Sequence, residues 1–157
     1  MAEESTPTQQ IELTTDLPAD LLMLIGRVTV VFGQLEYVLQ LCTKRLSDLD
    51  FDTAMSDAEK LKNVHALKNR VDELFQIRSM DQGKEAEFGA LIDQIEPLYR
   101  RRADVIHGLF AVEQHGRAIH QWKRDAKFAE LADLANLHRD ARDVMLTLNS
   151  ITHPKNQ

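Results

Sequence analysis

Residues 20–42 read DLLMLIGRVTVVFGQLEYVLQLC, and this stretch decides the fold. Its apolar residues Leu21, Ile25, Val28, Phe32, Leu35, Leu39 and Cys42 recur at steps of four and three. That is the spacing of one helical face, so the segment predicts a long core helix. Leu22 and Val38 widen the stripe at either end. Gly26 and Gly33 stand seven apart and share another face. Glycine weakens a helix interior, so the pair implies close approach of a neighbouring helix.

Working outward, Asp16 is a helix cap and Pro18 suits a first turn, so the helix is expected from about residue 17 to Leu46. A loop is expected over 48–55. Ser56 and Glu59 form a capping-box pattern before a second helix carrying Leu61, Val64, Leu67, Val71, Leu74 and Phe75. Asp81-Gln82-Gly83 is the next break. A third helix follows from Lys84 and carries Phe88, Leu91, Ile92 and Ile95. Pro97 lacks an amide hydrogen and pushes Glu96 away from helical angles, which predicts a kink or restart there. The periodicity then shortens. Residues 109–114 and 117–123 flank His115-Gly116 and read as a short hairpin. A last helix is expected over 128–151. The pattern predicts an all-α fold: an up-and-down bundle of about four long helices with a β-hairpin inserted before the last. Residues 1–16 read as a flexible leader, 17–151 as one domain and 152–157 as a frayed tail.

The chain has 157 residues, 43% hydrophobic and 28% charged, with a formal net charge of −6. This composition fits one soluble domain and excludes collagen-like, low-complexity and disulfide-scaffold proteins. The charge is uneven. Residues 1–16 carry −4 and the rest −2, yet residues 98–124 carry +4. A broadly basic nucleic-acid binder is excluded, whereas a small, focused phosphate site is not. Cys42 is the only cysteine, so no intrachain disulfide can form. It reads as a buried hydrophobe, and the chain as cytoplasmic with no membrane span.

The densest chemistry lies in Tyr99-Arg100-Arg101-Arg102-Ala103-Asp104-Val105-Ile106-His107-Gly108. Phosphodiester cleavage needs a group that moves a proton near neutral pH and a fixed cation for charge growing on phosphate oxygens. His107 suits the first role and Arg102 the second. Five helical positions separate them by roughly 140° and about 7.5 Å of rise. One helix cannot aim both at one small centre. Two such helices across a two-fold axis can, which predicts a homodimer. On the structural reading, the arginines form a solvated face and His107 is a partner of the helix dipole.

This segment resembles the Arg-x4-His motif of the HEPN superfamily, carried here by Arg102 and His107. Gly108-Leu109-Phe110 is similar to the continuation found in bacterial members, as are Ile25-Gly26-Arg27 and Phe32-Gly33-Gln34-Leu35-Glu36 in the first helix. The resemblance spans about residues 17–150. It implies a small, all-helical, often dimeric protein, and for many members a metal-independent ribonuclease leaving 2′,3′-cyclic phosphate ends. It assigns His107 acid/base work and Arg102 the scissile phosphate. It also implies a toxin–antitoxin or defence context, with a nucleotidyltransferase-type antitoxin as one partner. Active members carry a polar residue, often Asn or Asp, directly after the arginine. Here Ala103 stands there and Asp104 follows, three residues before His107, where it can orient the ring. Other members are non-catalytic modules that bind RNA, nucleotides or proteins.

Further residues complete the expected site. Arg100, Arg101 and Tyr99 flank the motif. Glu36 lies beside the apolar stripe and is expected either to orient Arg102 or to sit in water, with Lys68 as another cation. Trp122, with Arg117, Lys123 and Arg124, can stack single-stranded RNA or simply pack the hairpin onto the bundle. His115 and His120 fall short of the three or four ligands a metal needs, so no metal or cofactor is expected. His65 reads as a core-edge histidine.

Overall fold

The structure, a computed structural model, describes residues 11–12, 16–61, 63–78, 82–113, 117–122 and 125–153, with side chains at 11–12, 113, 121–122 and 125–128 outside the description. Among the described residues six helices are seen: α1 (Ala19–Leu46), α2 (Phe51–Lys60), α3 (Val64–Arg78), α4 (Gln82–Ile92), α5 (Ile95–His107) and α6 (Leu131–Ile151). The strands are β1 (Ile11–Glu12), β2 (Leu109–Glu113), β3 (Ala118–Trp122) and β4 (Asp125–Phe128). They form one antiparallel sheet in the order β1-β2-β3-β4. The all-helical bundle with a β insert before its last helix is the observed architecture.

α1 is the axis of the core and packs against α2, α3, α5 and α6. Its stripe is buried at Leu21, Val28, Val31, Phe32, Leu35, Leu39 and Cys42. α6 lies beside it and runs the same way. At the C-terminal ends Arg45 donates to the Asn149 side chain over 2.9 Å and Cys42 meets the Thr152 hydroxyl at 3.3 Å. At the N-terminal ends Pro18 and Leu21 share a depression with Leu131. α3 and α4 bring Phe75 and Phe88 into the core, stacked at 3.8 Å between ring centroids.

Several expected boundaries move, each for a physical reason. Pro18, not Asp16, occupies the cap of α1, and the Asp20 carboxylate accepts the Leu21 amide. The expected loop over 48–55 is half helix. Asp50 caps α2 by accepting the Thr53 amide at 3.0 Å, and the Thr53 hydroxyl, aided by that amide, holds its carboxyl below the usual carboxylate range. A break follows within the expected second helix, where the Asn63 side chain accepts the Ala66 amide and caps α3. Pro97 lies in the first turn of α5, where no helical partner needs its missing amide hydrogen, so the helix restarts after a turn at Asp93 and Gln94. The hairpin is extended on both sides. β4 takes the start expected for the last helix, and Ile11–Glu12 of the leader pair with β2. Thr152 of the expected tail is buried and donates to the Leu148 carbonyl. His65 is exposed rather than at the core edge; it meets the Glu96 carboxylate and holds that carboxyl below its usual range.

The expectation that no apolar run reaches bilayer length meets one long apolar helix, α1. A window of 18 residues within it reaches mean hydropathy 1.5, long and apolar enough by composition to cross a membrane. Here one face of that helix is spent on the core.

Cys42 has no exposed surface, and burial pushes its thiol up from 9.0 to about 11. A thiol that ionises later in the folded chain favours folding fully below pH 9 and loses that advantage between pH 9 and 11. Stability measured by urea titration should therefore fall by about 2–3 kcal/mol over that window. Cys42→Ala, itself less stable, should remove this share of the slope.

Candidate functional site

α5 presents its three consecutive arginines in three directions, as steps of about 100° require. Arg100 is exposed. Arg101 donates to the Asp140 carboxylate of α6 over 2.9 Å. Arg102 turns toward α1, its guanidinium carbon 5.8 Å from the Phe32 ring centre and 5.9 Å from that of Tyr99. Those two rings meet edge to face at 5.0 Å. The cation is held over two aromatic faces, an arrangement whose attraction strengthens as water is excluded. Its Nε is buried and has no hydrogen-bond partner.

Tyr99 closes this side. Its hydroxyl donates to the Phe32 carbonyl at 3.5 Å. Burial is the main cause raising its pKa, and the negative Glu36 nearby adds to it. The expected Glu36–Arg102 contact is not formed. Glu36 is exposed, and aromatic rings take the place of a carboxylate beside the guanidinium. Charge in water needs no buried partner, so the argument for pairing lapses. Lys68 is buried, and its charge adds to the lowering of the Glu96 carboxyl.

The other side of α5 faces a cavity of about 240 Å³ between α5, the sheet and α6. Arg101, Asp104, Val105, Phe110, His120 and Asp133 line it. His120 is buried. Its Nε2–H donates to the Asp104 carbonyl at 2.7 Å, and its ring stacks on Phe110 at 4.6 Å. The carbonyl can only accept, so Nε2 carries the hydrogen of this bond. Gly108 makes this approach feasible. A Cβ there would lie 1.9 Å from His120 Nε2 and 2.6 Å from the Asp104 carbonyl. Sequence spacing gave His120 no role beyond a weak metal ligand. The glycine directly after His107 was the available signal of a close neighbour.

His107 ends α5 with an exposed side chain, and Asp104 is exposed one turn earlier. Arg102 and His107 thus leave α5 in different directions, Arg102 toward α1 and His107 to solvent. The side chain of Trp122 lies outside the described residues; its backbone pairs with Asp125 at the end of the β3–β4 ladder. Among the described residues, no group of three His, Cys, Asp or Glu side chains converges as a metal site.

The geometry defines a class, a helical bundle bearing a small antiparallel sheet, with a ring-held arginine and a terminal histidine on one helix. Compared with family models, curated proteins and solved structures, the chain gives no match.

Proposed function

We propose that the chain is a HEPN-like, metal-independent RNA endonuclease with a composite site from Arg102 and His107 at a homodimer interface, working in a toxin–antitoxin or defence setting. The observation that carries this reading is the division of labour on α5. One short helix holds a positioned cation against α1 and leaves a histidine exposed at its end. The 140° between them explains why two copies are needed. In the reaction the ribose 2′-hydroxyl gives up its proton to a base as its oxygen attacks phosphorus, the bond to the 5′-oxygen breaks, and an acid returns a proton to that oxygen. His107 moves the proton, Arg102 meets the charge on the phosphate, and Asp104 orients His107 from one turn away. The product ends are a 2′,3′-cyclic phosphate and a 5′-hydroxyl.

Two observations favour a second reading, a non-catalytic module that binds RNA, a nucleotide or a protein partner. Ala103 replaces the polar residue expected after the arginine, and Arg102 is sheltered under its rings.

The experiment is RNA cleavage in excess chelator, with product ends identified. On the first reading cleavage persists without metal, and His107→Ala lowers its rate by about a hundredfold, the scale of one acid/base group. Salt-sensitive RNA binding without cleavage, lost on replacing Arg102, supports the second reading. Metal-independent cleavage unaffected by His107→Ala removes that residue from the mechanism.

A further inference from the structure

The last turn of α5 carries Asp104 and His107. A helix leaves its last four carbonyls without an amide of its own, and the Asp104 carbonyl is one of these. Its donor comes from another element. His120 of β3 lies opposite Phe110 in the β2–β3 ladder, and its Nε2 reaches the carbonyl at 2.7 Å. Phe110 follows His107 by three residues and stacks on the His120 ring at 4.6 Å. The connection closes on itself. α5 leads into β2, β2 pairs with β3, and β3 returns a hydrogen bond to the turn that α5 ended on.

This contact has a chemical and a steric signature. His120 is buried and shares the lining of its cavity with Val105, Leu134 and Leu137. An apolar side chain would fill that place without the cost of burying a polar ring. The imidazole is explained by the carbonyl it reaches. Gly108, for its part, has φ −74° and ψ 149°, angles that suit any residue. Space is what demands a glycine there, since a Cβ would overlap His120 Nε2 at 1.9 Å and Cδ2 at 2.5 Å. Gly26 and Gly33 give the contrast. A Cβ at either would meet nothing within 4 Å, so the close approach expected of that pair is not made among the described residues.

We propose that His120 is a positioning residue of the α5 site: it fixes the last turn of the helix, and with it the directions in which Asp104 and His107 leave. Its part in RNA cleavage rests on the ribonuclease reading, whereas the fixing of the turn does not. The physical reason is leverage. His107 is the last residue of α5, so no further turn steadies its backbone. What holds it is the turn before, and His120 ties that turn to the sheet. The tied peptide belongs to Asp104, the residue placed to orient His107 from three positions away. Without the tie the end of the helix frays and His107 samples several directions. Catalysis is sensitive to such motion, since a misplacement of about 1 Å can cost on the order of a hundredfold in rate.

The test applies NMR and RNA cleavage to three variants of the full chain. His120→Leu removes the donor. Gly108→Ala leaves the histidine in place and pushes it off the carbonyl. His120→Gln keeps an N–H donor at similar reach. In the wild type the His120 Nε2–H should be seen directly, coupled to its nitrogen, and Gly108→Ala should abolish it. Amide exchange at Ile106 and His107 should quicken about tenfold in His120→Leu and in Gly108→Ala, with the amides of α1 unchanged. The His107 ring resonances should move in both and return in His120→Gln. Where the wild type cleaves RNA, the first two variants should lower kcat about tenfold at constant KM, and His120→Gln should recover it. Unchanged His107 resonances and exchange in His120→Leu overturn the proposal. Equal quickening across α1 and α5 also overturns it, because His120 is then a general core residue. A loss borne by KM alone does the same. A wild type that cleaves no RNA counts against the ribonuclease reading, and the NMR results then decide the positioning role by themselves.

Discussion

Replacing Phe32 by alanine is expected to destabilise the chain by about 3–5 kcal/mol, the range for a large buried aromatic. Phe32 is 1% exposed and lies at the middle of α1, where the bundle is most tightly enclosed. Three losses coincide. The ring leaves the core and opens a cavity. Tyr99 loses its edge-to-face neighbour at 5.0 Å. Arg102 loses one of the two faces that hold it, and its buried Nε gains no new acceptor. The lost ring contact adds about 0.5–1.5 kcal/mol to the transfer and cavity cost. Urea denaturation followed by far-ultraviolet circular dichroism measures the sum. Phe32→Leu, which keeps apolar volume but not the ring, should recover most of the stability. It should not restore the stacking of Arg102. A loss below 1 kcal/mol in Phe32→Ala would show that α1 is not the axis of the core.

How much of this arrangement was legible in the sequence depends on the size of the side chains involved. The stripe from Leu21 to Cys42 is built of large apolar residues, so its period is plain, and it placed the central helix correctly. α2 buries only Ala54 and Ala58. Two alanines among charged residues make no visible stripe, so the segment reads as a loop, and its Asp50 cap is overshadowed by the Ser56–Glu59 pattern. The same asymmetry explains the sheet. Leu109–Glu113 and the strand after it alternate enough to be recognised. Asp125–Phe128 and Ile11–Glu12 are strands because β3 and β2 lie beside them, a long-range cause that local patterning does not record.

The candidate site divides along the same line. Arg102 and His107 stand out by chemistry and spacing. Their surroundings are set by contacts distant in sequence, Phe32 being seventy positions from Arg102 and His120 sixteen from the Asp104 carbonyl. Glu36 illustrates the limit. Its position beside a stripe was correct, but a helix edge places a carboxylate in water as readily as against a neighbour. Which occurs depends on what the neighbour presents, and here it presents aromatic rings.

Those rings make Arg102 the residue whose replacement best separates structure from function. Arg102→Met is expected to leave stability within about 1 kcal/mol of the wild type. Methionine keeps much of the unbranched stem and a polarizable tip that packs well on aromatic edges. It also removes a partly buried charge whose Nε has no hydrogen-bond partner in the chain. On the proposed ribonuclease reading, the same substitution should lower cleavage by about a thousandfold, the upper scale for losing one preorganised electrostatic group at a transition state. Arg102→Lys should recover little of this. An ammonium keeps the charge but cannot spread flat over Phe32 and Tyr99 or bind a phosphate in two-pronged fashion. A chain that loses both stability and activity on Arg102→Met would make the arginine a structural cation. A chain that keeps both would place the phosphate contact elsewhere on α5, with the exposed Arg100 the first to examine. Stability retained with activity lost is the outcome that a ring-held, unpartnered guanidinium predicts, because the rings position the cation while its remaining hydrogen-bond donors stay available to a phosphate.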